Sequence, residues 1–245
     1  MILPERAEAR VLALNEPESS GSAVYPKTSP DASAADTVVR KRAPEETRRA
    51  ILDAAIAEFS EKGFSGGRVD DIAARTRTTK RMIYYYFGGK QELYAAVLEE
   101  LYGGMRDAEQ ALGPEVLPPE EAMVRLVELT FDHHAAHPEF VRLVSVENIH
   151  EGRQVAASPT IRARNAAVIG LMTRLLQRGE QEGRFRPGVD PLDLHMLISS
   201  FCFYRVSNRY TLRAIYGQDN AASEVHATHR RMIVDAVMRY LRPGA

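Results

Sequence analysis

The chain has 245 residues, is 44% hydrophobic and carries a formal net charge of −1. This length allows one large or two modest domains with a sizeable core, and the near-zero charge excludes a uniformly basic nucleic-acid coat, so any basic footprint is local. One cysteine, Cys202, excludes an intramolecular disulfide framework, and no apolar run approaches the ~20 residues that cross a bilayer.

Residues 1–43 are expected to form a disordered tail, being rich in Pro, Ser, Ala, Glu and Asp without sustained apolar periodicity. Met1–Arg6 shows no basic segment followed by a long apolar stretch, so no secretory signal is expected and a soluble cytoplasmic protein is the default. The tail closes on Arg40-Lys41-Arg42. That run reads either as a solubilising linker end or as a basic arm reaching phosphates in an adjacent groove. Residues 40–93 hold 12 Lys/Arg against 8 Asp/Glu, a net of +4, and the remainder holds 20 against 25, a net of −5. The local positive charge therefore lies in this segment.

A first helix is predicted from Pro44 to Lys62, with Ile51, Leu52, Ala55, Ile56 and Phe59 on one face. Gly63 stops it and Phe64 follows as a buried plug. A short helix from about Val69 to Thr76 turns Val69, Ile72 and Ala73 inward, with Asp70 and Asp71 at its positive end. After the turn Thr76-Arg77-Thr78, Thr79 is a good N-cap for a third helix that ends at Gly88-Gly89. This helix buries Ile83 and Phe87 and shows Lys80, Arg81, Tyr84 and Tyr85. Cations suit phosphate and guanine, and phenols suit phosphate oxygens. Helix, short helix, tight turn, short helix is the helix-turn-helix layout, whose last helix enters the major groove.

From Lys90 a long amphipathic helix runs to about Leu112, followed by breaks at Gly113-Pro114 and Pro118-Pro119. Further helices are predicted over Glu120–Ala136, Pro138–Glu151, Ser158–Gly183, Asp190–Tyr216 and Ala222–Leu241, several opened by proline at the first position. No alternating strand pattern or internal repeat occurs, so the fold is expected to be all-α with about nine helices.

Gly63-Phe64, Val69-x-Asp71-Ile72-Ala73, Ile83-Tyr84-x-Tyr86-Phe87 and Lys90-x-x-Leu93 resemble the DNA-binding domain of TetR-family transcriptional regulators over about residues 47–95. The resemblance implies an all-α homodimer. Its helix-turn-helix domain, here residues 44–90, binds an operator, and its helical domain, here residues 91–245, binds a small effector and dimerises. It implies repression, with activation and an all-α enzyme or metal-binding protein carrying a vestigial helix-turn-helix as alternatives. The departures are Arg77 for the usual turn glycine, Gly67-Arg68 for the usual Ser/Thr cap, and Thr78 for the usual buried valine.

The DNA-binding residues expected are Arg68, Arg77, Thr79, Lys80, Arg81, Tyr84, Tyr85 and Lys90. Arg81 is the better candidate for a bidentate guanine contact, with Lys80 reading guanine or holding a phosphate. Tyr84, Tyr85 and Lys90 match family positions at the backbone. The expected effector residues are Phe131, His134, Phe140, Leu143, Glu147, Asn148, Met172, Leu176, Phe203, Tyr204 and Asn208, an apolar lining with a few polar groups. A dimer surface is expected on one stripe with Leu194, Leu197, Ile198, Phe201 and Arg205, and another with Val225, His229, Met232, Ile233, Ala236, Val237, Tyr240 and Leu241. His133 and His137, four apart beside Asp132, lack the glutamate of a zinc-protease pattern. Cys202 lies in an apolar helix and reads as a buried thiol. No catalytic residue, metal or cofactor is expected.

Overall fold

The computed structural model describes residues 33–244, with side chains from Pro44 onward. The tail before Ser33, and the side chains of Arg40, Lys41 and Arg42 that were candidates for a basic arm, lie outside the described residues. The chain divides into two units, Met1–Lys41 and Arg42–Ala245, and the second holds both hydrophobic cores. Among the described residues there are eleven helices and no strand, an all-α fold. None of these helices is long and apolar enough to cross a membrane.

The first helix, α1 (Ser33–Gly66), begins upstream of the expected Pro44, which therefore sits inside it. Gly63 interrupts it at the expected place, with φ 68 and ψ −179, a backbone region that side-chain-bearing residues avoid. Next come α2 (Val69–Thr76), α3 (Lys80–Phe87) and α4 (Lys90–Ala111). Ile51, Ala55 and Phe59 of α1 meet Val69 and Ile72 of α2, Ile83 and Phe87 of α3, and Leu93, Tyr94 and Val97 of α4 in one core. The helical stripes read from the sequence converge here, and each large side chain contributes about 1.5–3 kcal/mol on burial. The same core continues into Phe140, Val141 and Leu143.

The remaining helices are α5 (Pro119–Ala136), α6 (Pro138–Ile149), α7 (Arg153–Ala157), α8 (Pro159–Gln181), α9 (Pro191–Ser207), α10 (Arg209–Tyr216) and α11 (Ser223–Leu241). Ser158 caps α8 by accepting from Ile161 N at 3.2 Å, and Asp190 caps α9 by accepting from Leu192 N and Asp193 N at 2.8 and 3.0 Å. Both caps precede a proline whose missing N–H costs nothing at that position.

Two helices were not foreseen. The short α7 follows Gly152, which is left-handed at φ 66. The expected helix 190–216 divides into α9 and α10 at Ser207-Asn208, where Asn208 Nδ2 donates to Ser207 Oγ at 2.8 Å and to Tyr204 O at 3.4 Å. Such local side-chain bonds offer the backbone an alternative to helix continuation.

The expected dimer stripes require a correction. Leu194, Ile198, Ile233, Val237 and Leu241 are buried within the protomer, in a second core with Ala122, Phe131, Met172, Leu175 and Cys202. Arg205 is buried too, its Nη2 donating to Asn220 O at 2.7 Å. Phe201, Val225 and His229 are half-buried. The stripe left outside consists of Leu192, Met196, Leu197, Met232, Ala236 and Tyr240. Helices α9 and α11 are apolar on two sides, and a single periodicity cannot say which side faces in.

Candidate nucleic-acid interface

The orientation of α2 is set by a carboxylate the sequence reading missed. Glu58 of α1 is fully buried. It accepts from Arg68 N at 3.1 Å, just ahead of α2, and pairs with Arg75 at 3.1 Å in its last turn and with Lys62 at 2.8 Å. Glu58 thus satisfies the N–H of the N-cap residue Arg68 itself, while no side chain caps the first turn of α2. Gly67 is needed for close approach, because a Cβ there would stand 2.5 Å from the Phe59 ring. A buried carboxylate pairs in this way only when several donors converge on it. Its partners, the Arg68 N–H donor and the Lys62 and Arg75 charges, are spread along the chain and gave no local signal.

The turn resolves what Arg77 does in place of glycine. Arg77 adopts the left-handed region, φ 52 and ψ 34. Its N–H donates to Ala74 O at 3.3 Å, and Thr78 N–H donates to Ala73 O at 3.0 Å. This is the paired bonding of a Schellman stop, in which glycine is usual. The side chain costs about 1 kcal/mol in that conformation and places a cation on the exposed turn. Thr79 then caps α3, its Oγ1 accepting from Met82 N at 3.2 Å.

The α3 face matches expectation. Ile83 and Phe87 are buried, while Lys80, Arg81, Tyr84 and Tyr85 are exposed, Tyr85 by 78%. Met82, which the sequence reading left aside, is also exposed. Arg68 and Arg77 are exposed beside this face. Among the described residues, Arg77 and Arg81 have no ion-pair partner. Lys80 pairs with Asp70 at 3.3 Å and lies 6.0 Å from the Tyr84 ring centre. A phosphate or guanine would have to displace Asp70 from Lys80, whereas Arg81 is available at once. Lys90 is half-buried, donates to Ser65 O at 3.4 Å and covers the Phe64 ring at 4.9 Å. It is held at the junction of α4 with α1.

Helix α4 joins this unit to the rest. Tyr94 packs on Phe59 and Phe64 at 5.1 and 5.0 Å, and its hydroxyl donates to Glu147 Oε1 of α6 at 2.9 Å. Burial, reinforced by that bond, pushes the Tyr94 phenol above its ordinary range. The other Glu147 oxygen accepts from Gln154 N and Val155 N at the start of α7, at 3.2 and 3.4 Å. A Cβ on Gly63 would meet Val146 of α6 at 3.2 Å. The α1 break, α4, α6 and α7 are thus joined around one carboxylate.

The residues expected to line one effector pocket divide among several places. Phe140 and Leu143 lie in the first core, with Phe203 against it, while Phe131, Met172 and Leu176 lie in the second. Glu147 serves the junction just described. Asn148 is exposed and donates to Val144 O at 2.8 Å. Tyr204 lines a separate cavity with Phe201, Arg205, Leu212, Tyr216 and His229, and Asn208 is spent at the α9–α10 break. His134 does meet Phe140 and Phe203, at ring distances of 5.7 and 6.5 Å. Burial lowers the pKa values of His133 and His195 to about 4 and lowers that of His134, and the field of Arg106 on α4 adds to each shift. His133 and His137 approach to 4.3 Å, but His137 Nδ1 engages Glu139 at 2.9 Å. Cys202 is fully buried, and burial pushes its thiol up to about 12, far from a nucleophile's range.

Residues 51–97 match the family model for bacterial regulatory proteins of the tetR family, and residues 119–237 match that for a tetracyclin repressor-like C-terminal domain. The HTH-type transcriptional repressor NicS of Pseudomonas putida is 35% identical over 206 residues, covering 84% of this chain and 97% of that protein. The HTH-type transcriptional repressor SCO4008 of Streptomyces coelicolor is 30% identical, covering 75% and 90%. The crystal structure of SCO4942 from Streptomyces coelicolor superposes with a TM-score of 0.63 at 29% identity, over 80% of this chain and 98% of that one.

Proposed function

The chain belongs to the TetR family of regulatory proteins, and from that premise we propose that it is a transcriptional repressor, not an enzyme. It binds a palindromic operator as a homodimer and leaves it when a small effector binds the C-terminal helices. The observation that carries this reading is the exposed α3 face, with Arg81 unpaired among the described residues and Lys80, Tyr84 and Tyr85 beside it. Arg81 reaches base edges in the major groove, where a good bidentate contact discriminates by about 1–3 kcal/mol. Tyr84, Tyr85, Arg68, Arg77 and the Thr79 hydroxyl hold the backbone. Lys90 reaches a phosphate only by leaving Ser65 O.

The homodimer forms through the outer stripes of α9 and α11, with Leu197, Met232 and Tyr240 in the seam, as a four-helix interface. Two α3 helices must then span half-sites one turn of DNA apart or a multiple of it. Helix α4 sets that separation, since its first half packs in the DNA-binding unit and its second half against α8. An effector that favours the wrong spacing lowers affinity by its differential binding to the two states, and about 3 kcal/mol of coupling weakens the complex roughly 100-fold. The test is a gel shift on DNA flanking the protein's own gene. Binding that discriminates sequence and weakens steeply with salt supports the reading. Equal binding to any duplex, or none, would overturn it.

A further inference from the structure

Between the second half of α4 and helix α8 lies a cleft of about 380 Å³, lined in part by Arg106, Glu109, Arg164, Ala167, Leu171 and Arg174. Nothing in the sequence reading placed a site there. The rim charges are matched and solvated: Arg174 holds Glu115 at 3.0 Å, and Arg164 faces Asp107 at 3.7 Å. The inner pair differs. Arg106 is only 11% exposed and makes no hydrogen bond to any described residue; its Nη1 comes within 2.8 Å of Glu109 Oε2 without the alignment a bond requires. The poor fit follows from both residues sitting three apart on one helix. Nε and Nη1 of Arg106 and Oε2 of Glu109 are all left without hydrogen-bond partners. A buried guanidinium with open donors is costly unless something completes it.

The surroundings decide which charge fits. Glu109 is the carboxylate that stands against Arg106. His133, His134 and His195 lie within reach of its field and are held neutral. Burial raises Glu109 to about 7 against the pull of Arg106, so near neutral pH its carboxylate compensates Arg106 only in part. Ala167, Val168 and Leu171 of α8 give the cleft an apolar wall.

We propose that this cleft is the effector site and that it takes a small monocarboxylate, whose oxygens accept from the Arg106 guanidinium while its apolar body lies along Ala167, Val168 and Leu171. The proposal rests on the repressor reading above and names the ligand class for it. The site is placed to act on spacing. A Cβ on Gly103 would run into the Arg164 guanidinium, so this side chain of α8 lies across bare α4 backbone. A guest between these helices alters how they seat, and the far end of α4 carries Leu93 and Tyr94 into the DNA-binding core.

Thermal shift and calorimetry with benzoate, phenylacetate and hexanoate, each beside its neutral amide, test this on the full chain. At least one acid should raise Tm and its amide should not. Arg106→Gln should lose tenfold or more in affinity for that acid. Ala167→Trp, at an exposed position on the cleft wall, should block binding while leaving Arg106 untouched, and decides the matter if R106Q does not fold. Amides that match their acids, no response to any of the three acids, or R106Q binding as tightly as the parent would overturn the proposal. Operator binding by the unliganded protein, run alongside, separates the two readings. Its persistence without any acid response sinks the ligand class alone, and its absence sinks the repressor reading.

Discussion

The unit from Pro44 to Phe87 and the helical region from the second half of α4 onward use their side chains in opposite ways. In the first, one compact core fixes α1 and the two short helices α2 and α3, and the chemistry stands outside on α3. In the second, the outside is apolar stripe and solvated charge, and the unusual chemistry lies inside, around Arg106, Glu109 and the three histidines. A surface that meets a rigid polyanion can be exposed and preformed, whereas a site that must change helix spacing has to sit between helices. Helix α4 spans both, pinned near its start by Tyr94 and Glu147.

The largest effect that would break this comparison is on the anchor of α2. Glu58→Ala leaves the Arg68 N–H without its acceptor, breaks two ion pairs and opens a cavity in the core, and should cost about 3 kcal/mol, read as a fall in the midpoint of urea unfolding with loss of operator binding. A variant as stable as the parent would mean that Glu58 does not set α2. Tyr94→Phe removes a bond to a charged acceptor, worth about 1.5–3 kcal/mol. Operator affinity without effector should stay within a few fold, while effector-driven release weakens. Release of undiminished size in this variant would show that coupling bypasses Glu147.

The third effect is a dependence on pH. With Glu109 raised to about 7, its protonated form is favoured by folding, so this stability is full below the ordinary carboxylate range and is lost as pH rises through about 7. His133 and His195, lowered to about 4, act the other way: their contribution is full above the ordinary imidazole range and is lost as pH falls through about 4. Between pH 5 and 7 the two trends oppose each other. Glu109→Gln removes one, so its stability relative to the parent should climb by on the order of 2 kcal/mol from pH 5 to 8. Urea melts at both pH values check this, and a constant difference contradicts it. Smallest is Arg77→Gly, which relieves the left-handed turn and should raise stability by about 1 kcal/mol. It should also lower the salt slope of DNA binding by about 1 if Arg77 holds a phosphate.

The same comparison explains what could be read from the chain alone. The helix-turn-helix was legible because short helices with one apolar face have one way to pack, and the Arg77 departure was visible as a residue out of place. The pocket and dimer stripes were not legible. Leu194 and Leu197 lie on the same helix with similar chemistry, yet one is buried in the protomer and the other is 39% exposed. Glu147 stood out as a carboxylate in an apolar stretch, but its partners lie 53 and 7–8 residues away. Arg106 and Glu109, three apart on an amphipathic helix, carry no sequence signal of burial, because it comes from the helices packed over α4.

The central claim is that the outward face of α3 selects the DNA sequence. Fluorescence anisotropy with the protein's own operator and a scrambled duplex, at fixed salt, compares the parent with the Lys80→Ala, Arg81→Ala double variant. The account predicts that the parent prefers its operator by 100-fold or more, and that the variant keeps its melting temperature and binds both duplexes alike. A double variant that still discriminates between the two duplexes as the parent does would contradict it.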